Sequence, residues 1–92
     1  MSAETTHLQA RFHGRVQGVG FRFYTIQLAR GYAVSGFVRN EADGTVWLEA
    51  EGEEAEVKRF LGALREGMSA FIRQCDETYG CREPQFSGFN LG

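Results

Sequence analysis

Apolar and polar residues alternate near the start of the chain and then change period. In "HLQARFHGR", from His7 to Arg15, Leu8, Ala10 and Phe12 fall on one side and His7, Gln9, Arg11 and His13 on the other. A period of two marks a half-buried strand. Both histidines lie on its polar side with no partner ligands at metal spacing, so they read as solvated. After a glycine-rich run, "RFYTIQLARGY" changes to helical spacing. Phe21, Thr25, Leu28, Ala29 and Tyr32 share a face, and Gly31 suits the helix end. "VSGFVRN" and "TVWLEAE" read as strands joined by "EADG", whose Asp43-Gly44 pair favours a tight hairpin turn. Val46, Leu48 and Ala50 then point inward, and Thr45, Trp47, Glu49 and Glu51 outward. The clearest helix is "EEAEVKRFLGALREG". Glu53, Glu54 and Glu56 crowd its N-terminal turn, Val57, Phe60, Leu61 and Leu64 form its apolar stripe, and Gly67 stands where it should stop. "SAFIRQC" reads as a fourth strand, a polar loop containing Pro84 follows, and "FSGFNL" closes the chain as a short last strand.

The element order is therefore βαββαβ with an added C-terminal strand. Two helices on one face of an antiparallel sheet make a ferredoxin-like α+β sandwich, and right-handed crossovers put the first and third strands at its centre. The chain has 92 residues, enough for one small domain, and 42% hydrophobic content with eight phenylalanines supplies its core. Twelve acids against ten bases give a net charge of -2, which argues against general nucleic-acid binding but leaves room for one local anion site. No apolar run reaches membrane-span length and "MSAETTH" carries no hydrophobic signal region, so the expected location is the cytoplasm, without membrane attachment. Cys75 and Cys81 match no common zinc spacing; a disulfide between them stays open.

"GRVQGVGFR", from Gly14 to Arg22, joins the first strand to the first helix and contains no acid. Glycines at 14, 18 and 20 permit the curved backbone that gathers N–H groups into a nest, and the helix N-terminus adds partial positive charge. Arg22 in the first helical turn opposes the helix dipole, which makes sense if an anion sits between it and the amides. On local composition alone, a glycine-rich turn with an exposed arginine accounts for the run equally well. The run is neither a Walker A loop nor a dinucleotide fingerprint. Asn40, by itself, reads as a turn residue ahead of "EADG".

"GRVQGVGFR", then "SGFVRN" and "DGTV", resembles the acylphosphatases, and the likeness continues through "EGEEAEVKRFLGALREG" to "FSGFNL". The resemblance implies an acylphosphatase-like domain over 7–92, preceded by a flexible segment 1–6. It implies metal-free hydrolysis of carboxyl–phosphate anhydrides, with no cofactor, a catalytic arginine at Arg22 and a water-positioning asparagine at Asn40. The phosphate cradle would run through Arg15, Val16, Gln17, Gly18, Val19, Gly20 and Phe21. The partners expected are a small acyl phosphate as substrate and inorganic phosphate as product and inhibitor, acting on a monomer. Phe37 stands where tryptophan is frequent in the family and Glu41 where a small hydroxyl residue is often found. "GMSAFI" lacks a common proline, and residues 68 to 85 are the least family-like.

Two rival readings compete with this one. "RGYAVSGF" partly matches an RNA-recognition motif, but it straddles a helix end and the second strand rather than lying on the third. Carbamoyl-transfer proteins of hydrogenase maturation carry a related domain within much longer chains, so a free-standing hydrolase is the preferred expectation.

Overall fold

The computed structural model describes residues 4–92. Its elements are β1 (Thr5–Gly14), α1 (Phe21–Ala29), β2 (Val34–Asn40), β3 (Val46–Gly52), α2 (Glu54–Gly67), β4 (Ile72–Arg82) and β5 (Phe89–Leu91). The sheet order is β4-β1-β3-β2-β5, with β1 and β3 near its centre as the crossover rule requires. Two helices pack on one face, the ferredoxin-like arrangement. The sheet is mixed rather than wholly antiparallel, because β5 runs parallel to β2, pairing Gly36 with Phe89 and Val38 with Leu91.

The inward residues of the strands meet the helix stripes as the periodicity requires. Leu8, Ala10, Phe12, Val46, Leu48 and Ala50 are fully buried against Val57, Phe60 and Leu64 of α2 and Phe21 of α1. Each large side chain so buried contributes roughly 1.5–3 kcal/mol. Phe12 and Phe21 pack with ring centroids 5.0 Å apart, which ties the start of α1 to the middle of the sheet. Thr25 is buried within this apolar layer because its hydroxyl donates to the Phe21 carbonyl at 2.8 Å.

Several boundaries and faces differ from the sequence expectations, each for a tertiary reason. Helix α1 ends at Ala29, and the next three residues form a tighter turn in which Arg30, Gly31 and Tyr32 donate to the carbonyls of Gln27, Leu28 and Ala29. Helix α2 ends at Gly67, where the sequence predicts its stop, though Gly67 also serves the packing of the helices. A Cβ there would collide with the Tyr24 hydroxyl, so this glycine lets α1 and α2 approach. Strand β4 runs to Arg82, through residues expected in a loop. It is an edge strand hydrogen-bonded to the full length of β1, and its exposed side chains carry no alternating apolar pattern. Strand β1 begins at Thr5, so Thr5 and Thr6 belong to the sheet and pair with Arg82 and Cys81; of the segment expected to be flexible, residues 1–3 lie outside the described residues. Cys75 and Cys81 are free thiols on this one strand, about 20 Å apart at strand rise, far beyond disulfide reach.

The outer sheet face is not a solvated polar face. His7 Nε2 lies 2.7 Å from Glu49 Oε1, and Trp47 Nε1 donates to Glu49 Oε2 at 3.0 Å. His13 pairs with Asp76 at 2.8 Å. Glu51, expected to point into solvent, is 3% exposed and accepts the backbone N–H groups of Gln85 (2.9 Å) and Phe86 (2.8 Å). The segment after β4 folds over this face, and Phe86 packs edge-on against Phe37 at 5.6 Å.

Candidate active site

The loop between β1 and α1 is shaped by its glycines. Gly18 and Gly20 have φ of 76° and 79°, in the left-handed region that side chains with a Cβ rarely adopt, and a Cβ at either would meet open space. Backbone conformation, not crowding, therefore calls for glycine at both. Gly20 is also the N-cap of α1 and its carbonyl accepts the Tyr24 N–H at 2.9 Å. The N–H groups ahead of Tyr24 in the first turn have no intrahelical acceptor, which leaves a partly positive helix end. No acidic side chain stands in that turn to meet it.

Arg22 is in this first turn and exposed; Asn40 is the last residue of β2 and also exposed. Both line one cavity of about 420 Å³ together with Val16, Gly18, Gly20 and Phe21. Residues distant in sequence thus meet where the β1–α1 loop, the α1 N-terminus and the end of β2 converge. Among the described residues, Arg22 is the only charged one in the lining.

Three of the expected cradle residues do not line the cavity. The Arg15 N–H donates to the Phe71 carbonyl at 3.0 Å, and its guanidinium stands 5.9 Å from the Phe71 ring, so Arg15 anchors the base of the loop. Val19 packs against the core. The Gln17 side chain donates to the carbonyls of Glu41 (2.8 Å) and Thr45 (2.9 Å), at the turn after Asn40. It clamps the loop to that turn. Val16 is only 1% exposed and is as much core as cavity wall.

The turn is braced from its other side. The Asp43 carboxylate accepts the Thr45 hydroxyl (2.6 Å) and N–H (3.0 Å), and these bonds hold its carboxyl below the usual aspartate range. Arg11 donates to the same Thr45 hydroxyl at 2.7 Å. Phe37 and Glu41, the two departures from the family pattern near Asn40, are not part of the lining: Phe37 packs on Phe86, and Glu41 meets Arg39 at 3.3 Å.

A family model for acylphosphatase matches residues 8–91. The chain belongs to the acylphosphatase family. The acylphosphatase of Salinibacter ruber is 42% identical over 85 residues, covering 91% of this chain and 90% of its own. That of Oceanobacillus iheyensis is 46% identical over 70 residues, 76% and 77% of the two chains. The crystal structure of acylphosphatase from Bacillus subtilis superposes with a TM-score of 0.85 at 29% identity, covering 95% of this chain and 98% of that one. Full-length HypF, in its phosphate- and nucleotide-bound form, matches with a TM-score of 0.79 at 25% identity over 97% of this chain but 12% of its own.

The acylphosphatase cavity has a second wall that the sequence reading passed over. Phe23 and Ile26 of α1 and Phe89, Asn90 and Leu91 of β5 complete the lining. One signal was available: Phe23 falls off the apolar stripe of α1, where a large hydrophobic side chain has no core to enter. The β5 residues had no such signal, since their place beside β2 depends on parallel pairing.

Proposed function

We propose that this acylphosphatase hydrolyses the carboxyl–phosphate bond of small acyl phosphates without a metal, with Arg22 holding the phosphoryl group and Asn40 orienting the attacking water. The observation that carries this reading is the meeting of Arg22, Asn40 and the Gly18–Gly20 backbone on one cavity. An acyl phosphate leaves as a carboxylate and needs little acid assistance. Negative charge spreads over the phosphoryl oxygens as the reaction proceeds, and a guanidinium beside unpaired helix amides is suited to that charge. The water oxygen bonds to phosphorus as the bond from phosphorus to the acyl oxygen breaks, and the bond's electron pair leaves with the carboxylate. The water's proton passes to a phosphate oxygen. Asn40 contributes position, since an amide is too weak a base to take that proton. The enzyme works as a monomer in the cytoplasm, and the inorganic phosphate it releases competes with substrate.

The test is hydrolysis of benzoyl phosphate in EDTA, with phosphate binding measured alongside. Arg22→Ala weakens phosphate binding and lowers turnover by about a hundredfold or more; Arg22→Lys rescues poorly because an ammonium lacks the planar fork. Asn40→Ala leaves phosphate affinity within about threefold while turnover falls roughly a hundredfold. A folded Asn40→Ala protein working at the parent rate would return Asn40 to a turn residue, and turnover lost in EDTA and restored by magnesium would overturn the metal-free route.

A further inference from the structure

Strands β4 and β5 lie on opposite edges of the sheet, with β1, β3 and β2 between them. Residues 83–88 alone join the two, so this strap crosses the whole outer face. The crossing from edge to edge spans about 19 Å, and the chain from Arg82 to Phe89 reaches about 23 Å when extended. The strap therefore has little slack. An arch is longer than its chord, so the strap cannot rise off the face without drawing on one of its ends. Strand β4 is bonded to β1 over its full length, whereas β5 has three residues and pairs with β2 alone. The end that yields is β5.

The middle of the crossing lies over β3, and there the strap meets Glu51. This carboxylate is 3% exposed and accepts the N–H groups of Gln85 at 2.9 Å and Phe86 at 2.8 Å. Arg82, where the strap begins, faces it with Nη2 3.6 Å from Oε1. The Nε and Nη2 of Arg82 are buried and have no hydrogen-bond partner among the described residues, so Glu51 is the group that meets their charge. A buried carboxylate must be met by donors and countercharge, and here the strap and its first anchor supply both. Just beyond, the Gly88 carbonyl accepts the Gly36 N–H at 2.9 Å and β5 begins. Glu51 itself does not line the cavity.

We propose that Glu51 is a positioning residue for hydrolysis: it pins the strap at mid-span, the pinned strap holds β5 on β2, and β5 steadies the end of β2 that carries Asn40. The inference rests on the proposed role of Asn40. On one edge β2 pairs with β3 as far as Asn40, opposite Val46. On the other edge it has only β5, through Leu91 opposite Val38 and the Gly92 N–H bonded to the Val38 carbonyl at 2.8 Å. A water held by an amide loses its line of attack when that amide is displaced. Arg22 and the Gly18–Gly20 backbone stand on other elements, so phosphate binding does not depend on the pin.

The experiment reads the strap, the chemistry and phosphate binding separately in Glu51→Gln and Glu51→Ala. Glutamine keeps the shape and one acceptor oxygen but turns an NH2 towards the strap, and alanine keeps neither. By NMR, the Gly36 and Gly92 amides exchange about fivefold faster in Glu51→Gln and about fiftyfold faster in Glu51→Ala, and the Asn40 side-chain amide resonances shift. With benzoyl phosphate, well below each Tm, kcat falls about threefold in Glu51→Gln and about tenfold or more in Glu51→Ala. The Kd for inorganic phosphate stays within about twofold of the parent value in both. Val57→Ala empties space in the core on the opposite face of the sheet from the strap, so it is the destabilised control and keeps the parent kcat. Parent exchange rates in Glu51→Gln, parent kcat despite faster exchange, or an equal loss of kcat in Val57→Ala overturns the positioning role. Faster exchange with shifted Asn40 resonances, in a protein whose parent hydrolyses nothing, overturns the hydrolase reading and keeps the pin.

Discussion

Gln17 shows how a residue can serve a site without facing it. Its amide bonds to Glu41 and Thr45 join the loop that presents Arg22 to the turn that follows Asn40. Gln17→Ala removes both bonds, although the Glu41 and Thr45 carbonyls still accept the N–H groups of Gly44 and Glu41, so we expect a cost of about 1–2 kcal/mol in stability. As a positioning residue it should lower kcat by about tenfold, with KM for benzoyl phosphate changed by less than threefold. A Gln17→Ala enzyme with unchanged kcat, measured well below its melting temperature, would reduce the clamp to a structural tie. Cys75 offers a second residue-scale check. Burial pushes its thiol up to about 11, so it should react with iodoacetamide at pH 7.5 far more slowly than the exposed Cys81. Equal alkylation of the two by mass spectrometry would contradict its burial.

At the scale of elements, two glycines with opposite surroundings separate packing from propensity. Gly36 lies in β2 where it crosses β3, and an added Cβ would run into the Glu49 carbonyl; its N–H also donates to Gly88 at 2.9 Å, which brings the last segment to the sheet. Gly36→Ala must push β2 away from β3, so we expect a loss of about 3 kcal/mol or more. Gly62 lies in the middle of α2, exposed, with open space where its Cβ would be. Gly62→Ala should add roughly 0.5–1 kcal/mol, raising Tm by a few degrees. Thermal melts of the two variants test both signs. A neutral Gly36→Ala would mean that β2 and β3 are not as close as described.

For the whole molecule, the carboxylates set an acid limit. Asp43, Glu49, Glu54 and Asp76 are all held below their ordinary values of 3.8 and 4.5. Burial by itself would raise the Glu49 carboxyl, but hydrogen bonds from Trp47 and His7 outweigh it. Lys58 acts on Glu54, and Gln74 and then His13 act on Asp76. Each group binds a proton more weakly folded than unfolded. Their stabilisation is therefore complete above the ordinary carboxylate range and is lost as pH falls through about 4.5 and below. Urea midpoints should hold from pH 7 to about 5.5 and then drop steeply towards pH 3. Glu49→Gln should lower the midpoint at pH 7 and make the acid drop shallower. An unchanged profile would show that these contacts do not persist in solution.

What the sequence determined by itself is what local periodicity and backbone chemistry carry. The alternation through Leu8, Ala10 and Phe12, the stripe through Val57, Phe60 and Leu64, and the element order follow from side-chain direction in strands and helices, which repeats every few residues. The Gly18–Gly20 bend was legible because a positive φ calls for glycine, and the meeting of Arg22 with Asn40 was legible through the family motifs that contain them. Only the tertiary structure decided which strand edges and faces are covered. Glu51 is buried because a segment more than thirty residues away donates two N–H groups to it. Strand β4 extends to Arg82 because β1 offers it a partner along its whole length, not because its residues prefer it. The apolar wall of Phe23 and Leu91 exists because β5 pairs with β2 in parallel. Burial and strand pairing belong to pairs of segments, and a pattern read along one segment states what it can present but not what will meet it.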